Sequence, residues 1–160
     1  MPGGPRPDGP RYEDDFYAWT QYQAEVLRAM PSADNRFDRE NVAEEIETAG
    51  RNERDAVRNR IRRILEYFLM LTSRPAVAPL YGWQRSIIEA RDELDDKLSA
   101  SLRRDSEETL PKLYSDARRR AIIGLLEHGE TQAMALLPAE CPFTFDQIIA
   151  RDWYPSRWER

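Results

Sequence analysis

Mostly apolar residues recur at three- and four-residue steps along most of the chain. This spacing places their side chains in one stripe along a face of an α-helix. The first such segment begins after Asp14 and Asp15 and is interrupted at Pro31, so we expect an amphipathic helix between them. A polar connection then runs to Asn35, and Asp38 can cap the next helix. The stripe positions of the first helix are Phe16, Trp19, Gln23, Val26, Leu27 and Met30.

The next segment keeps one helical stripe in phase for roughly 35 residues, about 50 Å at ~1.5 Å per residue. Gly50 lies inside it. Because the stripe holds its phase on both sides, we expect an unbroken helix in which Gly50 admits a close neighbour or a mild bend. Pro75 and Pro79 predict a loop over 72–82. The stripe positions are Val42, Ile46, Ala49, Glu53, Val57, Ile61, Ile64, Phe68 and Leu71.

Two more helices are predicted after the loop. The third carries a stripe over 83–102 and ends at the charged run 103–108. The fourth covers 110–128, with Pro111 acceptable only in its first turn and Gly129 suited to its C-terminal cap. The stripe positions are Trp83, Ile87, Arg91, Leu94, Leu98 and Leu102 in the third helix, then Leu110, Leu113, Tyr114, Ala117, Ala121, Leu125 and His128 in the fourth.

Shorter elements follow. We expect a helical turn over 131–137, a short helix opened by the capping box of Thr144 and Gln147 and running through Ile149, and an aromatic-rich coil over 152–160. No segment alternates apolar and polar residues for long, so no sheet is predicted. Helices joined by short loops pack as antiparallel neighbours. The fold is therefore predicted to be all-α, an up-and-down antiparallel bundle of four main helices with a short C-terminal helix.

The composition adds a domain count and a compartment. With 160 residues, 41% of them hydrophobic and 33% charged, the chain suits one bundle domain over 12–160. The proline- and glycine-rich residues 1–11 lack the apolar run of a secretory signal and predict a disordered leader. The most apolar stretch, 64–71, contains Glu66 and falls short of the ~20 residues that cross a bilayer. We expect a soluble, cytoplasmic protein with no membrane partner.

Single copies of the metal-binding residue types limit the chemistry. One cysteine, Cys141, excludes an internal disulfide and a cysteine-based zinc site, and one histidine, His128, excludes a three-histidine metal centre. Neither residue has a neighbour in sequence that would activate it. No Gly-x-Ser-x-Gly elbow and no glycine-rich phosphate loop occurs. We therefore predict no catalytic residues, no cofactor and no metal.

Charges on the long helix form a candidate interaction face. Its exposed side is acidic in the first half and basic in the second, so two copies laid antiparallel would bring opposite charges together in a homodimer. The alternative is that the segregation only complements the helix dipole. We expect no nucleic-acid partner, because the net charge is −5 and no recognition motif is present. The residues of this face are Glu40, Glu44, Glu47, Arg51, Arg58 and Arg62.

Three polar residues fall on or beside buried stripes. Glu53 lies within the stripe of the long helix and Glu45 at its edge, and an ionised carboxylate buried there needs a partner. Tyr12 and Trp19 come level with Glu53 if the first two helices are antiparallel, and each can donate a hydrogen bond. Arg91 lies between apolar positions of the third helix. It reaches either the edge of the bundle or the carbonyl groups at a helix end.

Several strings, in order, resemble the bacterial family known as domain of unknown function 29. They are DFYAWT at 15–20, ENVAEEIE at 40–47, YSDAR at 114–118 and CPFTFDQI at 141–148. The resemblance implies an all-helical domain to which no activity is assigned. Members of this family often carry a histidine followed three residues later by a lysine, where this chain has Tyr67 and Met70. An acid, base or ligand role of that histidine would therefore be absent here.

Two functions are consistent with these patterns. The first is a non-enzymatic protein–protein interaction module, self-associating or with another protein, that uses the long helix or an aromatic tail. The alternative is a ligand-binding or enzymatic bundle with a polar pocket around Glu45, Glu53 and Trp19. The aromatic tail consists of Trp153, Tyr154 and Trp158.

Overall fold

The computed structural model describes residues 8–31, 34–73 and 79–156. Within these ranges the regular structure is entirely helical, which confirms the all-α class with four main helices and a short C-terminal helix. Residues 1–7 of the predicted leader, parts of both predicted loops, and Trp158 lie outside the described residues. No described helix combines the length and apolar character needed to cross a membrane. The helices are α1 (Phe16–Ala29), α2 (Arg39–Ser73), α3 (Leu80–Asp95), α4 (Ala100–Glu127), α5 (Ala133–Leu136) and α6 (Phe145–Ile149).

The chain divides into two compact units, one of residues 1–56 and 99–104 and one of residues 57–98 and 105–160. In the first unit α1 lies antiparallel to the beginning of α2. They come close together at Gly50, where an added Cβ would lie 1.9 Å from Thr20 Oγ1. Gly50 therefore admits a close neighbour, as predicted, and α2 continues unbroken for 35 residues.

Asp15 organises two helix starts in the first unit. Its carboxylate accepts the Ala18 N–H at 3.0 Å and so caps α1. It also accepts the Ser101 N–H at 2.8 Å and the hydroxyl groups of Ser99 and Ser101 at 3.0 and 2.6 Å. Burial alone would raise the pKa of Asp15, but these hydrogen bonds outweigh it and lower the pKa below its usual value. The free N–H groups at the start of α4 are satisfied in this way.

The boundary between the third and fourth helices was predicted wrongly. The structure ends α3 at Asp95 and begins α4 at Ala100, so the charged run 103–108 is helical and Leu98 and Leu102 do not belong to one helix. Serine is a favoured N-cap residue, and Ser99 Oγ accepts the Leu102 N–H at 3.4 Å. Pro111 consequently lies inside α4 rather than in its first turn. The predicted loop over 72–82 is also too long, because α2 reaches Ser73 and α3 starts at Leu80.

The second unit packs the rest of α2 with α3, most of α4 and the C-terminal segment. Arg60 on α2 pairs with Glu93 on α3, and further along α2 the Phe68 ring meets Arg91, so these helices are antiparallel. Arg58 pairs with Asp105, and Met70 meets Gly124 further along both helices, so α2 and α4 are parallel. These directions are those of an up-and-down arrangement. Its fully buried residues include Ile61, Ile64, Leu65, Phe68, Leu69, Ile87, Ala117, Ala121, Leu125 and Ile148.

The helix ends in the second unit follow the predicted signals. Gly129 has a φ of 81°, a left-handed conformation that glycine adopts without strain. The Glu130 N–H donates to the Leu125 carbonyl at 2.9 Å and the Gly129 N–H to the Leu126 carbonyl at 3.0 Å, the Schellman pattern. Thr144 and Gln147 form the predicted capping box of α6.

We expect Gly50→Ala to destabilise the protein by about 1–3 kcal/mol, because the new methyl group overlaps the buried Thr20 side chain. The steric cost of this overlap outweighs the gain of about 1 kcal/mol that alanine brings to a helix interior relative to glycine. Gly124→Ala is the matched control, since its Cβ meets only the mobile end of Met70, with Cε at 2.9 Å. Urea unfolding of both variants measures the difference. Equal stability of the two would contradict the close contact at Gly50.

Candidate functional site: an arginine cleft

Arg91 is the most deeply buried cation, with 2% of its surface exposed. Its Nε donates to the Ile148 carbonyl at 2.9 Å, and its Nη atoms donate to the carbonyl groups of Gln147, Arg151 and Trp153 at 3.1, 3.3 and 2.9 Å. The guanidinium therefore binds the carbonyl end of α6 and the chain after it, one of the two alternatives predicted for it. This arrangement ties the C-terminal segment to α3.

Two rings flank the same guanidinium. Its Cζ lies 5.2 Å from the centroid of the Phe68 ring and 5.3 Å from that of Tyr154. Trp153 packs its ring against Phe68 at 5.4 Å. Trp153 and Tyr154 are thus half-buried parts of the packing around Arg91, so these two members of the predicted aromatic tail have a structural role. The sequence did not show this role, because both residues meet their partners only through the tertiary fold.

The two glutamates predicted at buried positions of α2 are not fully buried. Glu45 is exposed and Glu53 is half-exposed, while Trp19 is half-buried. The Tyr12 ring, predicted to donate to Glu53 through its hydroxyl, packs edge-on against Trp19 with centroids 4.9 Å apart. The burial expected for Glu45 is wrong, because a position at the edge of the stripe leaves its side chain exposed, like that of the neighbouring Glu44.

Part of the predicted interaction face is engaged within the chain. Arg28 on α1 donates to both oxygens of Glu47 at 3.0 Å and to Glu40 at 2.9 Å. Arg51, four residues further along α2, also lies 3.6 Å from Glu47. The guanidinium of Arg28 lowers the pKa of Glu47 below its usual value. Glu40 and Glu47 therefore hold α1 against α2, and Glu44 is left exposed.

Arg58 is likewise engaged, in the second unit. Its guanidinium donates to both Asp105 oxygens at 2.8 and 2.6 Å and to the Thr109 hydroxyl at 3.3 Å. Bidentate pairs of this kind hold the guanidinium in a fixed geometry. Arg58 therefore joins α2 to α4, and the expectation that it belongs to an outward basic stripe is wrong.

Past Arg58, a group of polar side chains on α2 lines an open cleft of about 410 Å³. Apart from Arg60, its α2 residues recur at spacings of three and four positions, which places them on one face of the helix. The core residues Ile61, Ile64 and Leu65 lie between them in sequence and face the interior. We call this site the arginine cleft. It is lined by Asn59, Arg60, Arg62, Arg63, Glu66, Tyr67 and Arg120.

The register of α2 and α4 brings Arg120 to the cleft. Met70 meets Gly124, and one helical turn back along each of the parallel helices are Glu66 and Arg120. The neighbours of Arg120 have other roles. Arg118 donates to the carbonyl groups of Pro138 and Leu137 at 2.9 and 3.2 Å, and Arg119 pairs with Asp116 at 2.6 Å. Of the run 118–120, only Arg120 lines the cleft.

Three of the four arginines that line the cleft have no counter-charge in direct contact. Among the described residues, Arg62, Arg63 and Arg120 form no hydrogen bond or ion pair, whereas Arg60 pairs with Glu93. Glu66 is half-buried between them. Burial raises the pKa of Glu66 above its usual value, although the charges of Arg120, Arg62 and Arg63 act in the opposite direction. The cleft thus combines three available guanidinium groups with a carboxyl group that resists ionisation.

Sequence reasoning identified Arg62 but not the rest of this cleft. The spacing of 59, 62, 63, 66 and 67 was a detectable signal for one polar helical face. The contribution of Arg120 was not detectable, because it depends on the register between α2 and α4. His128 packs against the Trp83 ring with centroids 5.6 Å apart, and burial raises the pKa of the Cys141 thiol. In the described part of the chain, no three His, Cys, Asp or Glu side chains are grouped to hold a metal ion.

Comparison with known proteins agrees with this architecture. The model of the family described as domain of unknown function DUF29 matches residues 11–154. An α-helical protein of unknown function from Rhodospirillum rubrum, known from a crystal structure at 1.45 Å resolution, superimposes with a TM-score of 0.79. It is 24% identical, and the match covers 91% of this chain and 93% of that protein. No curated protein matches the chain.

We expect Arg91→Lys to destabilise the protein by about 1–3 kcal/mol, because an ammonium group has three donors and cannot reproduce the planar fork that serves four carbonyl groups. Arg85→Lys, on the exposed side of α3, is the control and should stay within about 0.5 kcal/mol. Urea unfolding monitored by circular dichroism gives both values. Equal midpoints for the two variants would show that the carbonyl contacts of Arg91 contribute nothing to stability.

Proposed function

Since the chain belongs to the DUF29 family, which has no assigned activity, its own residues must indicate its role, and we propose that it is a non-enzymatic interaction module. Its partner presents an anionic group to the arginine cleft. The observation that carries the proposal is the convergence of Arg62, Arg63 and Arg120 on one open cleft without a carboxylate in contact. The coarser conclusion, an all-helical domain of unknown function, does not depend on it.

Electrostatics supports an anionic partner. Like charges gathered at one site repel one another, and a bound anion relieves that repulsion. Guanidinium groups are also well suited to the task, because each presents a planar fork of donors that matches the oxygens of carboxylate, phosphate or sulfate. Arg58 and Arg28 show the alternative within this chain, since both are engaged by carboxylates of their own units.

The chemistry of arginine favours binding over catalysis at this site. A guanidinium keeps its proton at neutral pH and so supplies charge and hydrogen bonds rather than proton transfer. Support for the alternative pocket around Glu45, Glu53 and Trp19 is weaker, since Glu45 is exposed. We therefore still assign the interaction role to α2, but we place the binding site at the arginine cleft and not on the charged face.

We expect an anion that enters the cleft to shift the side-chain Nε–Hε signals of Arg62, Arg63 and Arg120 in a ¹⁵N–¹H spectrum. The probes are sulfate, inorganic phosphate and succinate, titrated separately at low ionic strength. Because hydrogen bonds to charged groups contribute about 1.5–3 kcal/mol each, the double variant R63A/R120A should lose about tenfold or more in affinity. Failure of all three anions to shift these signals would overturn the proposal.

Two controls accompany this titration. Arg85→Ala removes an exposed arginine on α3 that does not line the cleft, and it should leave the affinity unchanged. Added sodium chloride should weaken binding, since it screens exposed charges. An equal loss in Arg85→Ala and R63A/R120A would mean that the anions respond to net charge and not to the cleft, which also contradicts the proposal.

The homodimer predicted from the charge pattern of α2 stays a prediction, with a separate test. Glu44 and Arg62 are the members of that face that remain after the pairs of Glu40, Glu47, Arg51 and Arg58 are formed. If two copies pair through them, sedimentation should show a dimer at low salt that dissociates when salt is added. A monomer at low salt and high protein concentration would contradict the homodimer.

A further inference from the structure

We propose that the arginine cleft takes a tetrahedral oxyanion, a phosphate or sulfate group, and that Glu66 binds it as a neutral carboxylic acid, donating a hydrogen bond. The inference rests on the proposed function, since it specifies the ligand of the same cleft. The anion is tetrahedral, and Glu66 holds a proton while the anion is bound.

The donors of the cleft come from two helices, which favours a tetrahedral group. Arg62 and Arg63 precede Glu66 by four and three residues on α2, so their side chains flank it along one helical face. Arg120 approaches from α4, a different helix. A planar carboxylate offers two oxygens in one plane, whereas a phosphate or sulfate group offers three or four in different directions. Donors that converge from two helices can therefore be satisfied together by a tetrahedral oxyanion.

The state of Glu66 decides whether an anion is repelled or bound. Among the described residues no hydrogen bond or ion pair engages its carboxyl group, even though three guanidinium groups line the same cleft. Ionised, it would repel an anion held by those groups. Protonated, it donates a short, charge-assisted hydrogen bond to the anion. Burial already raises the pKa of Glu66, and a neighbouring negative charge raises the pKa of a carboxyl group further.

The other charged and titratable groups around Glu66 come from three helices. They are Arg60, Arg62, Arg63 and Tyr67 on α2, Arg120 on α4, and Glu93 of α3, which is paired with Arg60. Measuring the anion affinity between about pH 5 and pH 8 tests Glu66, because it is the group of the cleft whose pKa burial raises above the usual carboxyl value.

Sulfate is the diagnostic probe, because it keeps its double charge throughout this pH range and contributes no titration of its own. We expect its affinity to fall as pH rises, by up to about tenfold per pH unit above the pKa of Glu66. Glu66→Gln keeps a neutral hydrogen-bond donor of the same size, so it should bind sulfate at every pH with an affinity that no longer depends on pH. Succinate should bind the unaltered protein more weakly than sulfate.

The outcomes separate this inference from the proposed function. If neither sulfate nor phosphate nor succinate shifts the arginine signals at any pH, the proposed function fails. If anions bind but the sulfate affinity is flat with pH, or Glu66→Gln abolishes binding in a folded protein, the proton held on Glu66 is disproved and the cleft stands. Succinate binding as tightly as sulfate would disprove the tetrahedral preference.

The two sources of such a group are distinguished by a second comparison. Phenyl phosphate and phenyl sulfate carry the same ring on different oxyanions, so their relative affinities at about pH 7.5 separate a phosphate ester from a sulfate ester as the natural group. A phosphate monoester is then nearly dianionic and can hold one more counter-charge. Tighter binding of either ester supports the tetrahedral site, and failure of both to bind while sulfate binds would show that the cleft accepts only a free ion, which overturns the assignment to a partner's group.

Discussion

The unbroken helical period of α2 is the constraint on which most of the structure depends. Over its 35 residues the same repeat presents Gly50 to Thr20, buries Ile61, Ile64 and Phe68, and places the α2 residues of the arginine cleft together on another face. A single inserted residue would rotate every later side chain by about 100° around the helix axis. The buried residues of α2 therefore determine how the helix packs, and the regular helical repeat then fixes where the polar residues on its other face lie.

Regular periodicity made much of the fold predictable. The glycine inside α2, the left-handed Gly129 and the capping box of α6 are local signals, and each was confirmed because short-range backbone geometry decides it. The break between α3 and α4 was mistaken for a different reason. The stripe over 83–102 stayed in phase by coincidence, and the start of α4 depends on hydrogen bonds from Asp15, a residue distant in sequence.

The functional residues were less predictable, since their roles depend on partners from other elements. Arg58 and Arg62 differ by one helical turn, yet Arg58 meets the Asp105 carboxylate and Arg62 lines an open cleft. Arg118, Arg119 and Arg120 are adjacent in sequence and have three different roles. Spacing identifies which side chains share a face, but only the register of the neighbouring helix determines which of them remain available.

A carboxyl group among arginines gives the cleft a property that arginines alone would lack. Three permanent cations would hold anions at any physiological pH, and they would also accept carboxylates of neighbouring proteins without discrimination. Glu66 introduces a condition, because its ionised form opposes an anion and its neutral form donates to one. Specificity often requires an element that disfavours the wrong ligand as well as elements that attract the right one. A half-buried acid beside unpaired arginines supplies both within one turn of α2.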